Sequence, residues 1–372
     1  MKIVLAFDSF KGSLSAKTAC RVVANTLHVL RPAWQVEYVP LADGGEGTAA
    51  VLVESRRGQW RATQEVTGPL PEIRLGASFG WLPGDIAVVE MACASGLTLL
   101  DKTQRNPLLT TSYGTGQLLA AAAESGARRI ILTLGGSATV DGGTGAARAL
   151  GWRFLDADGC EVPLGGGGLR QIARLQRPQL NLPPLEAWCD VRNPLWGREG
   201  AACVYGPQKG ADEAMVEELD VGLQHLAELV QRQCGLPALD VPGDGAAGGF
   251  GFGARAFLGA HLIPGAQGVM EVVGLDKALS DADWVITGEG CLDDQSLRGK
   301  VVGEVTRLAR SRSVNVAVVA GRLLLDPVRC LEAGIARWEQ CMTREMSAEQ
   351  AMDQAELLLA AAAQRLVDRL TE

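Results

Sequence analysis

Five short segments of this chain combine carboxylates, hydroxyls, cations and glycines, the residue types that bind and transfer charged groups. They are Asp8–Ser13, Asp43–Thr48, Gly135–Gly145, Cys189–Leu195 with the later Gly206–Gly210, and Thr287–Lys300. Each lies where a predicted strand ends, and open α/β sheets bind ligands outside the carboxyl ends of their strands. The sequence therefore predicts a site assembled from several loops.

The first segment follows the first predicted strand and precedes the first predicted helix. Its Asp8, Ser9 and Lys11 stand beside a helix N-terminus, where free backbone N–H groups and a cation suit an anion. The alternative is that Ser13 or Ser15 only caps the helix. We predict an anion-binding loop.

The second segment places two carboxylates, Asp43 and Glu46, within four residues on a glycine-rich backbone. Carboxylates on such a backbone can hold Mg²⁺, directly or through water, or the hydroxyls of a small polar substrate. Asp-Gly is also a common turn dipeptide, so a plain turn is the competing interpretation.

The third segment is a glycine loop. Its candidate ligand residues are Gly135, Gly136, Ser137, Asp141, Gly142 and Gly143. Glycines let the backbone approach a ligand, and successive N–H groups can form an anion nest. The loop matches neither the Walker A pattern nor the dinucleotide fingerprint, and a tight turn is the alternative.

The last two segments add further charged groups. Asp190, Arg192, Asn193 and Lys209 offer a carboxylate, an amide and two cations. The fifth segment offers two carboxylates and a lysine within a dozen residues, a set that fits phosphate and magnesium handling. Its residues are Thr287, Gly288, Glu289, Asp293 and Lys300. Surface charge on a loop is the competing interpretation of this fifth segment.

Composition excludes several classes of protein. The 372 residues are 47% hydrophobic with a net charge of −8, which excludes disordered and fibrous chains and argues against nucleic-acid binding. Nine scattered cysteines without paired spacing predict reduced, mostly buried thiols. No G-x-S-x-G elbow is present and the three histidines lie far from these loops, so a hydrolase is disfavoured. We expect no membrane partner and a cytoplasmic location.

Alternating strand and helix patterns predict an α/β fold with parallel strands. Predicted strands cover residues 2–7, 36–40, 130–134, 284–286 and 314–320, and predicted helices cover 14–30, 117–125, 301–312 and a stretch from about 348. The last helix carries an apolar face that we expect to pack on the sheet. Changes in residue composition along the chain predict two domains. A Rossmann-like (flavodoxin-like) domain, residues 1–60 and 281–372, is interrupted by a second α/β domain, residues 61–280.

Together the motifs resemble those of the glycerate kinase family, in particular the bacterial type that makes 2-phosphoglycerate. The resemblance rests on segments 8–13, 42–48, 90–97, 106–116, 135–139, 206–211, 245–249 and 287–290, and it covers nearly the whole chain. It implies ATP-dependent phosphorylation of D-glycerate with Mg²⁺, in a two-domain α/β enzyme with its active site in the cleft between the domains.

For such a kinase we expect the following roles. Lys11 and Lys300 balance triphosphate charge, Glu289 and Asp293 hold Mg²⁺, and the glycine loop with Thr287 and Gly288 binds the nucleotide. Asp190 accepts the proton of the attacking hydroxyl, with Asp43 and Glu46 as competitors. Arg192, Arg105 or Lys209 binds the substrate carboxylate, and Asp8, Ser9 and Asn193 complete the substrate site.

Four positions depart from the family pattern: Phe7, Val140, Cys291 and Val302. Val140 and Cys291 stand where polar groups are usual in two of these loops, so slower turnover or another acceptor is an alternative. A glycerate-binding sensor without turnover and a kinase of tartronate or hydroxypyruvate also remain open. The sequence leaves the oligomeric state open, a homodimer being one alternative.

Overall fold

The structure is a computed structural model that describes residues 1–179, 181–235, 241–343 and 346–371. The chain forms two compact units. Unit 1 comprises Met1–Asp43, Glu54–Arg56 and Gly265–Glu372, and unit 2 comprises Gly44–Val53 and Arg57–Pro264. The predicted changes of domain lie at 60/61 and 280/281, whereas the main changes of unit lie at 43/44 and 264/265. Whether each unit folds as a separate domain stays a prediction.

The strands are β1 (Lys2–Phe7), β2 (Gln35–Tyr38), β3 (Gln59–Ala62), β4 (Val66–Thr67), β5 (Arg74–Leu75), β6 (Ser78–Leu82), β7 (Ile86–Glu90), β8 (Arg129–Thr133), β9 (Arg153–Leu155), β10 (Arg174–Gln176), β11 (Leu185–Trp188), β12 (His261–Ile263), β13 (Trp284–Gly288), β14 (Cys291–Leu292), β15 (Asn315–Ala320), β16 (Arg322–Leu323) and β17 (Arg337–Gln340).

The α-helices are α1 (Ala16–Leu30), α2 (Thr48–Ser55), α3 (Ala92–Ser95), α4 (Tyr113–Glu124), α5 (Thr144–Ala149), α6 (Ala201–Tyr205), α7 (Glu213–Cys234), α8 (Ala246–Leu258), α9 (Gly265–Val273), α10 (Leu275–Ala278), α11 (Val301–Ser311), α12 (Pro327–Ala333), α13 (Ala348–Asp353) and α14 (Ala355–Arg369). Short 3₁₀ turns cover Leu97–Leu99, Lys102–Gln104, Gly166–Gln171, Pro207–Lys209 and Leu279–Asp281.

Unit 1 is built on a five-stranded parallel sheet in the order β2-β1-β13-β15-β17. Counted along this unit, the order is 2-1-3-4-5, that of flavodoxin-like folds, whose ligands bind at the switch point between the first and third strands. β1 is buried from Ile3 to Phe7, as expected for a continuous apolar run in a parallel sheet covered on both faces. The predicted α/β class with parallel strands is confirmed.

The helices of unit 1 begin at recognisable caps and bury their apolar faces. Ser15 caps α1, because its hydroxyl accepts the backbone N–H of Thr18 at 3.1 Å. Val23 and Leu27 of α1 join Leu359 and Leu366 of α14 in one hydrophobic cluster with the sheet. The single predicted C-terminal helix is two helices, α13 and α14, which meet at Gln354.

Unit 2 is built on a mixed six-stranded sheet in the order β12-β11-β8-β7-β6-β3. Strands β7, β8, β11 and β12 run parallel, and β6 and β3 are antiparallel additions at one edge. The core includes Val89, Leu132 and Ala187 from these strands. The carboxyl ends of β7, β8 and β11 therefore lie at one edge of the sheet.

Two further predictions concern the cysteines and membrane-spanning helices. All nine cysteines are free thiols, as predicted, but only Cys20, Cys189, Cys330 and Cys341 are buried. Their expected burial was wrong because several cysteines lie on partly exposed helix faces and loops. Among the described residues, none of the helices has the length and apolar character needed to cross a membrane.

Candidate active site

Two sequence-distant carboxylates meet at the switch point of unit 1. Phe7 of β1 pairs in register with Gly288 of β13, so Asp8 and Glu289 both follow this pair. The backbone N–H of Asp8 donates to the carbonyl of Gly288 at 3.0 Å. The first and fifth segments of the sequence are thus joined at one edge of one sheet.

Burial sets the protonation of these carboxylates. Burial, together with the negative charge of Asp43, raises the pKa of Asp8 to about 7, against a hydrogen bond from the N–H of Ser9 at 2.6 Å. Burial also raises the pKa of Glu289. A bound cation would favour the ionised form of both carboxyl groups, because it offsets the charge that burial penalises.

Two lysines supply positive charge to this cluster. Lys11 Nζ lies 3.0 Å from Asp43 Oδ2, and the charge of Asp43 raises the pKa of Lys11. Lys300 occupies the N-cap position of α11. Its positive charge lowers the pKa of Glu289, but the effect of burial is larger. Ser9, Lys11, Glu289, Asp293 and Lys300 all line one cavity of about 480 Å³ in unit 1.

The residues of this cavity suit a partly hydrated Mg²⁺. Glu289 Oε1 is buried and has no hydrogen-bond partner within the described part of the chain. Burial would raise the pKa of Asp293, but the backbone N–H groups of Ser296 and Gln295 outweigh it and keep the pKa low. The described chain has no cluster of three metal-ligating side chains. Mg²⁺ needs only one or two carboxylates beside substrate phosphates and water, so Glu289 and Asp293 fit this ion.

Two predicted nucleotide residues of unit 1 lie inside the sheet. The hydroxyl of Thr287 donates to the carbonyl of Ala6 at 2.6 Å. A Cβ on Gly288 would collide with the carbonyl of Val319 and lie 3.0 Å from Phe7 Cε1. These residues hold β13 between its neighbours, and the predicted contact with nucleotide stays a prediction.

Asp141 organises the glycine loop of unit 2. It is fully buried, and Asp141 Oδ2 accepts the N–H and the hydroxyl of Ser112, both at 2.8 Å. The backbone N–H groups of Gly143 and Gly145 donate to the same carboxylate at 3.1 and 3.2 Å. Burial raises the pKa of Asp141 against these hydrogen bonds. The side chain predicted to bind nucleotide is therefore occupied within the chain.

Lys209 also forms hydrogen bonds with the glycine loop. Its ammonium nitrogen lies 2.8 Å from Ser137 Oγ and 2.8 Å from the carbonyl of Thr139, and only 2% of the residue is exposed. Burial lowers its pKa to about 7. Lys209 thus holds two members of the glycine loop at once.

The glycine loop also packs against the loop that precedes α2. A Cβ on Gly135 would lie 2.5 Å from Gly45 Cα, and one on Gly136 would lie 3.3 Å from Glu46 Oε2. Only glycine allows this approach at position 135 without a shift of the backbone. The structure therefore brings Glu46 to the glycine loop, whereas Asp43, its neighbour in sequence, belongs to unit 1.

The remaining predicted residues also belong to unit 2. Asp190 follows β11, whose Trp188 pairs with Thr133 of β8, so it shares a sheet edge with the glycine loop. The carbonyl of Arg105 lies against Gly210, beside Lys209. Arg105 Nε is buried, and no described residue forms a hydrogen bond with it.

The loop after Asp190 is held by an amide. Asn193 Nδ2 donates to the carbonyl of Glu199 at 2.8 Å, and Asn193 Oδ1 accepts the hydroxyl of Tyr205 at 2.7 Å. Arg192, beside it, is exposed. Of these two predicted substrate residues, Asn193 is engaged within the loop and Arg192 faces solvent.

Comparison with known proteins decides the family. The glycerate kinase family model matches residues 3–371. This chain belongs to the glycerate kinase family. A glycerate kinase of Halalkalibacterium halodurans is 44% identical over 370 residues, covering 98% of this chain and 97% of that protein. A glycerate 2-kinase of Escherichia coli K12 is 45% identical over 332 residues, covering 88% and 86%.

A solved structure of this family agrees with the fold. A crystal structure assigned as glycerate kinase 2 of Salmonella typhimurium LT2 is 40% identical, with a TM-score of 0.87, and the match covers 100% of this chain and 98% of that one. The resemblance inferred from the motifs is thus confirmed.

The four departures from the glycerate kinase pattern fall in two environments. Phe7, Val140 and Val302 are completely buried. Cys291 is exposed and lines the cavity of unit 1. Among these four positions, a polar side chain would reach the cavity only at 291.

Two residues at strand ends were not among the predicted site residues. Arg322 follows β15 and lines the cavity of unit 1. Glu90 ends β7, is buried, and accepts the N–H of Ala49 at 2.6 Å. Their positions at the carboxyl ends of parallel strands are the signal in the sequence for both, because ligands bind at these ends.

Proposed function

We propose that this protein transfers the γ-phosphoryl group of ATP to a hydroxyl of D-glycerate in the presence of Mg²⁺, giving 2-phosphoglycerate. Membership of the glycerate kinase family supports the substrate. The E. coli relative named glycerate 2-kinase supports the position of phosphorylation.

The observation that carries this proposal is the cluster at the ends of β1 and β13, which combines the buried carboxyl of Asp8 and the partly buried carboxyl of Glu289 with two lysines. Phosphoryl transfer depends mainly on positioning and on compensation of phosphate charge. Lys11 and Lys300 attract and orient the phosphate oxygens, and Glu289 and Asp293 hold Mg²⁺. When bound, Mg²⁺ offsets negative charge on the phosphates as a Lewis acid.

The acceptor needs a base for its hydroxyl proton and a cation for its carboxylate. Asp190 is our candidate to take the proton, with Asp43 and Glu46 as competitors. Lys209 is committed to Ser137 and Thr139, which leaves Arg105 and Arg192 for the substrate carboxylate. Arg105 is the better candidate, since its buried Nε has no hydrogen-bond partner among the residues described, and such a donor gains most from a new acceptor.

The direct test incubates the purified protein with ATP, Mg²⁺ and D-glycerate, measures ADP release and identifies the product by phosphorus NMR. The 2-phosphoglycerate signal supports the proposal, and 3-phosphoglycerate would correct the position of transfer. Failure to form product while D-glycerate raises the melting temperature would favour a sensor. Tartronate and hydroxypyruvate assayed beside D-glycerate decide the acceptor.

The base is tested by an isosteric change. Asp190→Asn should lower kcat by two orders of magnitude or more if the carboxylate takes the proton, because general base catalysis contributes roughly 10²–10⁴-fold. Asp158→Asn, in an exposed turn of the same unit, is the matched control. An unchanged kcat in Asp190→Asn would transfer the role to Asp43 or Glu46.

A further inference from the structure

The cavity of unit 1 has more room and more apolar surface than phosphate binding requires. It opens at the carboxyl ends of β1, β13, β15 and β17, where ligands of doubly wound sheets bind. Its volume of about 480 Å³ falls within the range of small-molecule sites. The strand-end loops contribute its cations, Lys11, Lys300 and Arg322.

A second wall comes from α13, α14 and the turn after β17. Its apolar lining residues are Met342, Ala348, Ala351, Met352, Ala355 and Leu358. These helices were predicted to pack an apolar face on the sheet. Ala355 and Leu358 do pack against the hydrophobic cluster of the sheet, and together with Met352 they also line the cavity. Met352 Sδ lies 3.4 Å from the position of a Cβ on Gly12, so this wall contacts the loop that carries Lys11.

We propose that the wall formed by α13 and α14 binds the purine ring of the nucleotide, with its phosphates on Lys11, Lys300 and Arg322. This inference rests on the proposed function for the identity of the nucleotide. The alanines Ala351 and Ala355 leave space for a flat ring, and methionine sulfur makes favourable contacts with aromatic rings. D-glycerate carries a carboxylate and hydroxyls on three carbons, so it has no apolar surface to match this wall.

The glycine loop of unit 2 is a poorer phosphate cradle than its sequence indicates. Its N–H groups at Gly142, Gly143 and Gly145 already donate to Gly248 or to Asp141. The N–H of Ala138 donates to the carbonyl of Ser95 at 2.8 Å. Phosphates there would have to displace these hydrogen bonds, whereas the side chains of Lys11 and Lys300 line an accessible cavity.

Cys291 provides a reporter within the cavity. It is exposed and lines the cavity, whereas Cys160 is an exposed thiol of unit 2 and serves as an internal control. The whole protein is treated with N-ethylmaleimide at pH 8, and modification of each cysteine is followed by peptide mass spectrometry. We expect ADP with Mg²⁺ to slow modification of Cys291 at least tenfold and to leave Cys160 unchanged, with no protection by D-glycerate.

A cavity-filling variant tests the purine wall separately from the phosphate contacts. Ala351→Leu should raise the ADP concentration for half-protection at least tenfold and leave protection by tripolyphosphate unchanged. Ala361→Leu, on an exposed position of α14 outside this cavity, is the control and should match the wild type. Thermal unfolding verifies that both variants are folded.

The outcomes separate this inference from the proposed function. Protection of Cys291 by ADP without any phosphoglycerate product would leave the inference standing and overturn the kinase proposal. Normal product formation with no protection of Cys291 at ADP concentrations that saturate by calorimetry would overturn the inference alone. Protection by D-glycerate, or equal sensitivity to ADP in Ala351→Leu and wild type, would also overturn it.

Discussion

The ammonium nitrogen of Lys209 lies 2.8 Å from Ser137 Oγ in a fully buried contact that links the Pro207–Lys209 turn to the glycine loop. A second hydrogen bond reaches the carbonyl of Thr139. A lysine is costly to bury when charged, because desolvation favours the neutral amine. The contact thus makes the stability of unit 2 depend on pH.

Lys209→Met should flatten the pH dependence of stability above neutrality. Burial lowers the Lys209 pKa to about 7 from its ordinary 10.5, so between these values the unfolded chain binds a proton that the folded chain has lost. Wild-type stability therefore gains from rising pH in this window, by at most about 1.4 kcal/mol per pH unit. Urea unfolding at pH 7, 8 and 9 measures the difference. Lys102→Met, at an exposed lysine of the same unit, is the control, and parallel curves for wild type and Lys209→Met would contradict the prediction.

Asp8→Asn should stabilise the protein, and more so at pH 8 than at pH 5. Burial and the charge of Asp43 raise the Asp8 pKa to about 7 from its ordinary 3.8. Between these values the folded state holds a proton that the unfolded state has released, so stability falls as pH rises and the cost is complete above about 7. Asparagine removes the charge and can still accept the N–H of Ser9. We expect a gain on the order of 1 kcal/mol at pH 8 by urea unfolding. Asp158→Asn should give no gain, and a gain in Asp8→Asn independent of pH would refute the assignment.

Gly135→Ala should destabilise unit 2, whereas Gly76→Ala should not. Neither glycine has positive φ, but a Cβ at position 135 would lie 2.5 Å from Gly45 Cα and one at 76 would meet nothing within 4 Å. Overpacking of this kind costs roughly 1–3 kcal/mol. Thermal unfolding of the two variants side by side isolates the steric effect, and equal melting temperatures would show that the two loops separate easily.

Glu289→Gln should weaken the response to Mg²⁺ while the fold is kept. The change preserves size and removes the charge of a partly buried carboxyl whose Oε1 has no hydrogen-bond partner among the described residues. We expect the Mg²⁺ concentration for half-maximal ADP release to rise at least tenfold and kcat to fall roughly 10²-fold. Asp294→Asn is the control on the same loop, since Asp294 is exposed and pairs with Arg329 at 3.0 Å. The same Mg²⁺ curve for Glu289→Gln and wild type would remove Glu289 from the metal site.

Local patterns in the sequence were reliable where one physical signal dominates. The apolar runs at β1, β13 and β15 predicted buried parallel strands, because a strand covered on both faces must be apolar throughout. The break between α13 and α14 at Gln354 was not predicted, because the three- and four-residue spacing of apolar residues continues from one helix into the next. The cavity wall formed by α13 and α14 was not predicted either. Periodicity identifies an apolar face of a helix, but it does not show whether protein or a ligand covers that face.

The roles of individual polar residues depended on tertiary contacts that no spacing encodes. Asp141 and Lys209 have residue types that suit a ligand site, yet each forms hydrogen bonds with segments distant in sequence. Asp43 and Glu46 are three residues apart but belong to different units.

The sequence by itself determined the family, the α/β class and the strand-end segments that carry the charged residues, because each of these follows from local order along the chain. Only the tertiary structure decided which of those residues meet one another, since register between strands joins Asp8 to Glu289 across 281 positions. It also decided which remain accessible, because burial and internal hydrogen bonds occupy Asp141 and Lys209, while Lys300 and Lys11, although Lys11 pairs with Asp43, still line a cavity.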